Sequence, residues 1–281
     1  MAAGLVARLP DGRLHLQEGP IDLLIGFEGP RPAVQQAVTA ASTAFAGLLA
    51  GLAAELPLLR TPVGADLPAI QGPVGRRMVA AVWPHRRGFI TPMAAVAGAV
   101  ADEVLAAIAA VPGLTAAHVN NGGDIALYLT AGASLRIGLV RDQARAAPEG
   151  LVRLSEADGI GGVATSGWPG RSFSLGIADA VTVLARNAAA ADAAATVIAN
   201  AVNADHPAIA RAPAETLDPD SDLGARLVTT AVGALPPEVI AAALAAGEAV
   251  AEALIQRGLI AGALLALQGE TLAVGLPRLL G

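Results

Sequence analysis

Asp192 and Thr196 stand four residues apart in an apolar, alanine-rich run from Ala188 to Val202. On a helix that spacing stacks a carboxylate and a hydroxyl one turn apart on the same face. Hard cations such as Mg²⁺ take oxygen ligands of this kind and complete their shell with water or phosphate. A solvated helix face, or a threonine bonding back to a carbonyl, produces the same spacing, so the pair must be read with its neighbours. Upstream lie two glycine-rich turns, Asn120-Asn121-Gly122-Gly123-Asp124 and Thr165-Ser166-Gly167. Glycines in such turns let backbone N–H groups approach a phosphate or a ring closely.

Further residues could join them. His206, in Asp205-His206-Pro207 directly after the run, is the candidate general base; its bland reading is a helix-end residue near a C-terminal dipole. Arg171 and Trp168 follow Thr-Ser-Gly and could clamp an anionic planar ligand, against ordinary packing for the tryptophan. His85-Arg86-Arg87 is a local basic spot, read as a solvated loop. Asp218, Asp220 and Asp222 lack the glycine and terminal glutamate of a calcium loop and read as a turn and helix cap. Gly98, inside an alanine-rich helix, costs about 1 kcal/mol in propensity, so something is expected to approach its backbone closely.

These residues need a scaffold. Leu5 to Gln17 reads as a hairpin around Pro10-Asp11-Gly12, and Ile21 to Phe27 as a further strand. A helix is predicted from Pro32 to about Glu55, ended by Pro57, and a second from Met93 to Val111, closed by Pro112-Gly113. Residues 60–75 read as a loop. Strands are predicted at Val79 to Trp83, Ala117 to Asn120, Ile125 to Leu129, Leu135 to Val140, Ala178 to Ala185 and Leu272 to Leu276, and a last helix from Pro236 to Gln256. No repeated βαβ crossover is visible, which predicts an α+β fold, antiparallel sheets flanked by helices, in one domain over 1–281 with two similar lobes.

Composition narrows the function. The chain has 281 residues, 54% hydrophobic, with mean hydropathy +0.57, a value that comes from alanine; no stretch reads as a membrane span. No basic segment precedes an apolar one at the N-terminus, so a cytoplasmic location is expected. There is no cysteine, and every cation is arginine, which rules out thiolate ligands, a Schiff base and a lysine general base. A net charge of −6 and 2% aromatics argue against nucleic-acid binding.

Taken in order, Asn-Asn-Gly-Gly-Asp, Ala-Thr-Ser-Gly, the strand Ala-Val-Thr-Val-Leu-Ala and Ala-Asp-Ala-Ala-Ala-Thr resemble the ApbE-like superfamily. Its characterised members are FAD:protein FMN transferases, and the chain is most similar to a shorter branch of it. Gly19 to Leu23 and Thr91 to Gly98 share the likeness, which spans most of residues 19–230. The resemblance implies Mg²⁺ held by Asp192, Thr196 and a backbone carbonyl near Val96. It implies a flavin, FAD or a related nucleotide beside Asn121, Gly122, Gly123 and Asp124, with Thr165, Ser166 and Gly167 against the nucleotide; Arg171 joins these candidates through its position just after Thr-Ser-Gly, not through the resemblance. Two family features are missing: Ala97 stands where the transferases carry lysine, and only Trp168 to Gly176 fills the interval where they carry His-Ile-Ile-Asp-Pro. The expectation is therefore a Mg²⁺-dependent flavin- or nucleotide-binding protein with weakened transfer. The alternative is a small-molecule-binding or accessory protein, with sulfur-amino-acid metabolism as the suggested setting. Expected partners are a small-molecule ligand, a protein acceptor and a second copy of the chain.

Overall fold

The computed structural model describes residues 5–140 and 148–276. In chain order the elements are β1 Leu5–Arg8, β2 Leu14–Glu18, β3 Ile21–Glu28, α1 Arg31–Phe45, α2 Leu48–Leu59, α3 Pro73–Val82, α4 Val96–Ala109, β4 Ala116–Asn121, β5 Asp124–Leu129, β6 Ser134–Val140 and β7 Pro148–Ser155. They continue with β8 Gly162–Ser166, β9 Ala180–Ala185, α5 Ala188–Ala201, β10 Ile209–Pro213, α6 Ala214–Leu217, β11 Leu227–Val232, α7 Pro237–Gln256, β12 Gly262–Leu267 and β13 Glu270–Val274. Helices and antiparallel strand pairs make this an α+β protein.

The chain divides into two compact units. One takes residues up to Arg136 with Arg153–Ala164 and Ala185–Asp192; the other takes Ile137–Val152, Thr165–Leu184 and Ala193 onward. The first is a meander in which β1 to β5 pair in sequence and β8 joins β5. One sheet face carries Leu14, Leu16, Leu23, Ile25, Ala117 and Val119 into a core shared with α1 and α4. Small residues on α4, including Ala99 and Ala101, are fully buried and let it lie close to the strands. In the second unit β12 pairs with β9 and β13, and α7 covers β12. β10 and β11 form a separate ribbon.

Three expectations are corrected. The predicted helix through Glu55 is two helices, because Gly47 adopts a left-handed φ of 81° after Phe45, and Pro57 lies inside α2 instead of ending it. Val79 to Trp83 is not a strand. It is the end of α3, whose buried Val74, Met78, Val79 and Val82 recur at helical spacing behind Pro73. Among the strands, β7, β8, β10, β11 and β12 had no counterpart in the sequence reading. Two helical runs, Arg31–Leu59 and Pro92–Ala109, are also long and apolar enough to cross a membrane by length and composition. The break at Gly47 interrupts the first, and about half of the second lies inside the fold.

Candidate functional site

α4 and α5 meet at their N-terminal ends, and each supplies the carboxylate that the other lacks. The first turn of any helix leaves N–H groups without helical partners. In α5, Ala188 N–H donates to Asp102 Oδ1 at 3.0 Å and Ala189 N–H to Asp102 Oδ2 at 2.9 Å, while Ala190 N–H donates to Asn187 Oδ1 at 2.8 Å. In α4, Gly98 N–H donates to Asp192 Oδ2 at 3.0 Å, and Ala97 N–H also favours the Asp192 carboxylate. Asp102 follows Gly98 by four residues, and Asp192 follows Ala188 by four. The two helices therefore cap each other.

The approach demands glycine. A Cβ on Gly98 would fall 2.7 Å from Ala189 N and closer still to the Ala188 carbonyl, as the sequence led us to expect. Gly162 and Gly161 face the backbone of Asn187 and Arg186 in the same way. Asp102 is the functional residue that sequence reading missed. An acidic pair, Asp102-Glu103, amid Val100, Ala101, Val104 and Leu105 was the only signal.

Beside this junction ends the β4–β5 hairpin. Gly122 and Gly123 form its two-residue turn with φ of 67° and 113°, a geometry that suits glycine and matches strand twist. Gly123 N–H donates to Asn120 Oδ1 at 2.8 Å. Asn121 and Asp124 face each other across the turn. Asn121 is buried, and its Nδ2 donates to the Ala97 carbonyl at 3.1 Å, pinning the first turn of α4 to the hairpin. Val96 begins α4 two residues before Gly98.

Asp192 titrates well above the ordinary carboxylate range. Burial is the main cause and the Asp124 charge the next; the Gly98 and Ala97 N–H groups oppose them. Asp102 is raised too, chiefly by burial, against its bonds from Ala189 and Ala188. The first unit thus brings Val96, Asn121, Gly122, Gly123, Asp124 and Asp192 to one place. Among the described residues no three His, Cys, Asp or Glu side chains gather to hold a metal ion. Two surface hollows of the first unit, of about 360 and 240 Å³, are lined around Ser134 and Arg153 and around Arg13 and His118. Neither touches these residues, and the polar junction is the better candidate because its groups converge and one is strongly perturbed.

The remaining candidates belong to the second unit. Thr196 follows Asp192 by one turn of α5 and is half-buried. Thr165 Oγ1 lies 2.8 Å from Thr182 Oγ1. A Cβ on Gly167 would meet the Asp179 and Ala178 carbonyls at 2.5 and 2.9 Å, so chain crossing explains that glycine. Trp168 donates through Nε1 to Asp179 Oδ1 at 3.3 Å, and Arg171 is exposed. His206 Nδ1 accepts the Ala208 N–H at 3.2 Å, which ties the ring to its own turn. Asp218 caps an exposed turn at Asp220 N–H, 2.9 Å away.

Residues 6–273 match the family model described as AbpE bacteria. A UPF0280 protein of Methanopyrus kandleri is 42% identical over 119 residues, 42% of this chain and 46% of that protein. One from Methanothrix thermoacetophila is 37% identical over 140 residues, 50% of this chain and 56% of that protein. The chain thus spans about half the length of the curated relatives it matches. The apo flavinyl transferase ApbE of Pseudomonas stutzeri superposes with a TM-score of 0.47 at 14% identity, over 97% of this chain and 94% of that one.

Proposed function

Because the chain belongs to the AbpE bacteria family, within the ApbE-like superfamily, we propose that it binds a flavin or related nucleotide together with Mg²⁺, and that flavin transfer is weak or absent. The observation that carries this reading is the Asp192–Asp124 carboxylate pair beside the glycine turn. A carboxylate whose proton affinity is raised by burial and by a neighbouring carboxylate is relieved by a cation. Asp192 and the Val96 carbonyl of the first unit would hold it, and bound Mg²⁺ would neutralise phosphate charge; Thr196 is the candidate one helical turn further on. Gly122 and Gly123 are the ligand-side candidates of the first unit, and Thr165, Ser166, Gly167 and Arg171 those of the second. His206, with Nδ1 committed to Ala208 N–H, would have to act as a base through Nε2.

One feature favours the second reading, a binding or accessory protein without transferase chemistry. At Ala97 no amine is available; the residue contributes only backbone, with its carbonyl bound by Asn121. Deprotonating an acceptor hydroxyl requires a positioned base, and a chain without lysine lacks the family's group there. Incubation with FAD, Mg²⁺ and a flavin-acceptor domain should leave little covalent fluorescence on a denaturing gel, while FAD titration shows binding. A strong acceptor band would restore the transferase reading. No FAD binding would point to a different ligand.

Metal and proton compete for Asp192, which fixes a sign. Its folded-state titration lies above the ordinary value of 3.8, so its contribution to stability is fullest in acid, below that value. The contribution is lost as pH rises through the raised value. Without Mg²⁺, the parent should therefore lose stability as pH rises from about 4 toward neutral, and Asp192→Asn, which has no proton to lose at this position, should lose less over the same range. Saturating Mg²⁺ should raise the parent's melting temperature, by about 2.7 kcal/mol of stability at a hundredfold excess over Kd, and leave Asp192→Asn unmoved. A parent that melts identically with and without Mg²⁺ removes the metal and leaves Asp192 a helix cap.

A further inference from the structure

The outward side of α2 is apolar where a surface helix is ordinarily polar. Between Arg31 and Arg60 the one charged residue is Glu55, and its carboxylate accepts the Gln71 and Gly72 N–H groups at 2.6 and 3.1 Å. That carboxylate ties down the following loop. Only Leu52 and Leu59 of α2 are buried. Ala50, Ala53, Ala54 and Pro57 face out, Leu58 is 44% exposed, and Leu67 in the next loop is 64% exposed.

Positive charge adjoins this surface in a chain whose net charge is −6. Residues 56–101 hold five arginines against one aspartate. Arg77 is paired with Glu103 at 2.7 Å; Arg76, Arg86 and Arg87 are exposed. Arg86 also lies over the Trp83 ring, 4.5 Å from its centroid. The two surfaces are contiguous. α2 packs on α3, with Gly72 and Gly75 against Glu55, and Val63 N–H bonds the Ile90 carbonyl at 3.0 Å, drawing the loop after α2 to the segment after Arg87.

We propose that α2, the loop after it and these arginines form a seat for the surface of an anionic phospholipid bilayer. Charge complementarity selects that occupant. A symmetric dimer would bring two copies of the same positively charged patch together without neutralising it, whereas lipid phosphates neutralise the arginines. The seat is peripheral. α1 and α2, of 15 and 12 residues, extend roughly 22 and 18 Å at helical rise, short of a hydrocarbon core of about 30 Å. The inner side of α1, through Ala37, Ala41 and Phe45, is fixed in the core.

Sedimentation of the full chain with phosphatidylcholine vesicles, with and without about one third phosphatidylglycerol, tests this. Partition onto the anionic vesicles alone is expected, and high salt should reverse it. Leu58→Glu/Leu67→Glu, at exposed positions and checked by an unchanged melting temperature, should weaken partition at least about tenfold. Arg86→Ser/Arg87→Ser should weaken it about fivefold for each arginine. Failure to partition onto anionic vesicles would overturn the proposal, as would undiminished partition of the Leu58→Glu/Leu67→Glu chain. So would a parent dimer that ignores vesicles and that those glutamates dissociate, since a second copy would then cover the face.

Discussion

Gly98→Ala should lower the melting temperature by roughly 6–12 °C, the equivalent of about 3 kcal/mol in a chain of this size. The sign is the test. Helix propensity alone would make alanine better than glycine by about 1 kcal/mol. Here the new Cβ would be driven into the Ala188 carbonyl, and neither partner is a side chain that can swing away. Gly98→Leu should be worse. Ala99 is itself fully buried, so exposed Ala106 is the proper control; Ala106→Leu should change stability by no more than about 0.5 kcal/mol. Thermal melts of the three variants decide the matter, and a Gly98→Ala chain that melts at or above the parent refutes the close packing of α4 on α5.

Asp102→Ala should cost about 2–5 kcal/mol. It leaves the Ala188 and Ala189 N–H groups buried without acceptors, at roughly 1–3 kcal/mol each. Asp102→Asn should fare little better, although it preserves shape. Its amide has one oxygen for two N–H donors and turns its own NH₂ toward the second. Asp102→Glu keeps both oxygens but lengthens a side chain that is only 7% exposed, so it should fall between them. Denaturant unfolding of the three variants gives the order. If Asp102→Asn is as stable as the parent, the two-oxygen cap is not what holds the start of α5.

The sequence disclosed regular elements where one period dominates. The β1–β2 hairpin announces itself through Pro10-Asp11-Gly12, with Gly12 at φ 88°, and α4, α5 and α7 through long alanine-rich runs between breakers. Short apolar runs misled. Met78 to Val82 suits a strand as well as a helix, and Gly262 to Leu267, the buried strand β12, could be either. The break in the first helix was missed because a single glycine in an apolar run does not reveal its φ. At the site, Asp192 and the glycine turn stood out as polar or flexible exceptions. Asp102 did not, because its role is a contact with residues far along the chain, and local pattern cannot show which amides a carboxylate beside Glu103 will meet.

That separation has a kinetic consequence. Asp102 reaches Ala188 and Ala189 across 86 and 87 residues. Asp192 reaches Gly98 across 94. Neither helix gains its carboxylate cap by local helix–coil growth, because these acceptors arrive only when the loop between them closes. The two caps are therefore acquired together, as a long-range closure of the kind that slows folding. Opening either end exposes the other, so the junction that holds the candidate site melts as one cooperative element.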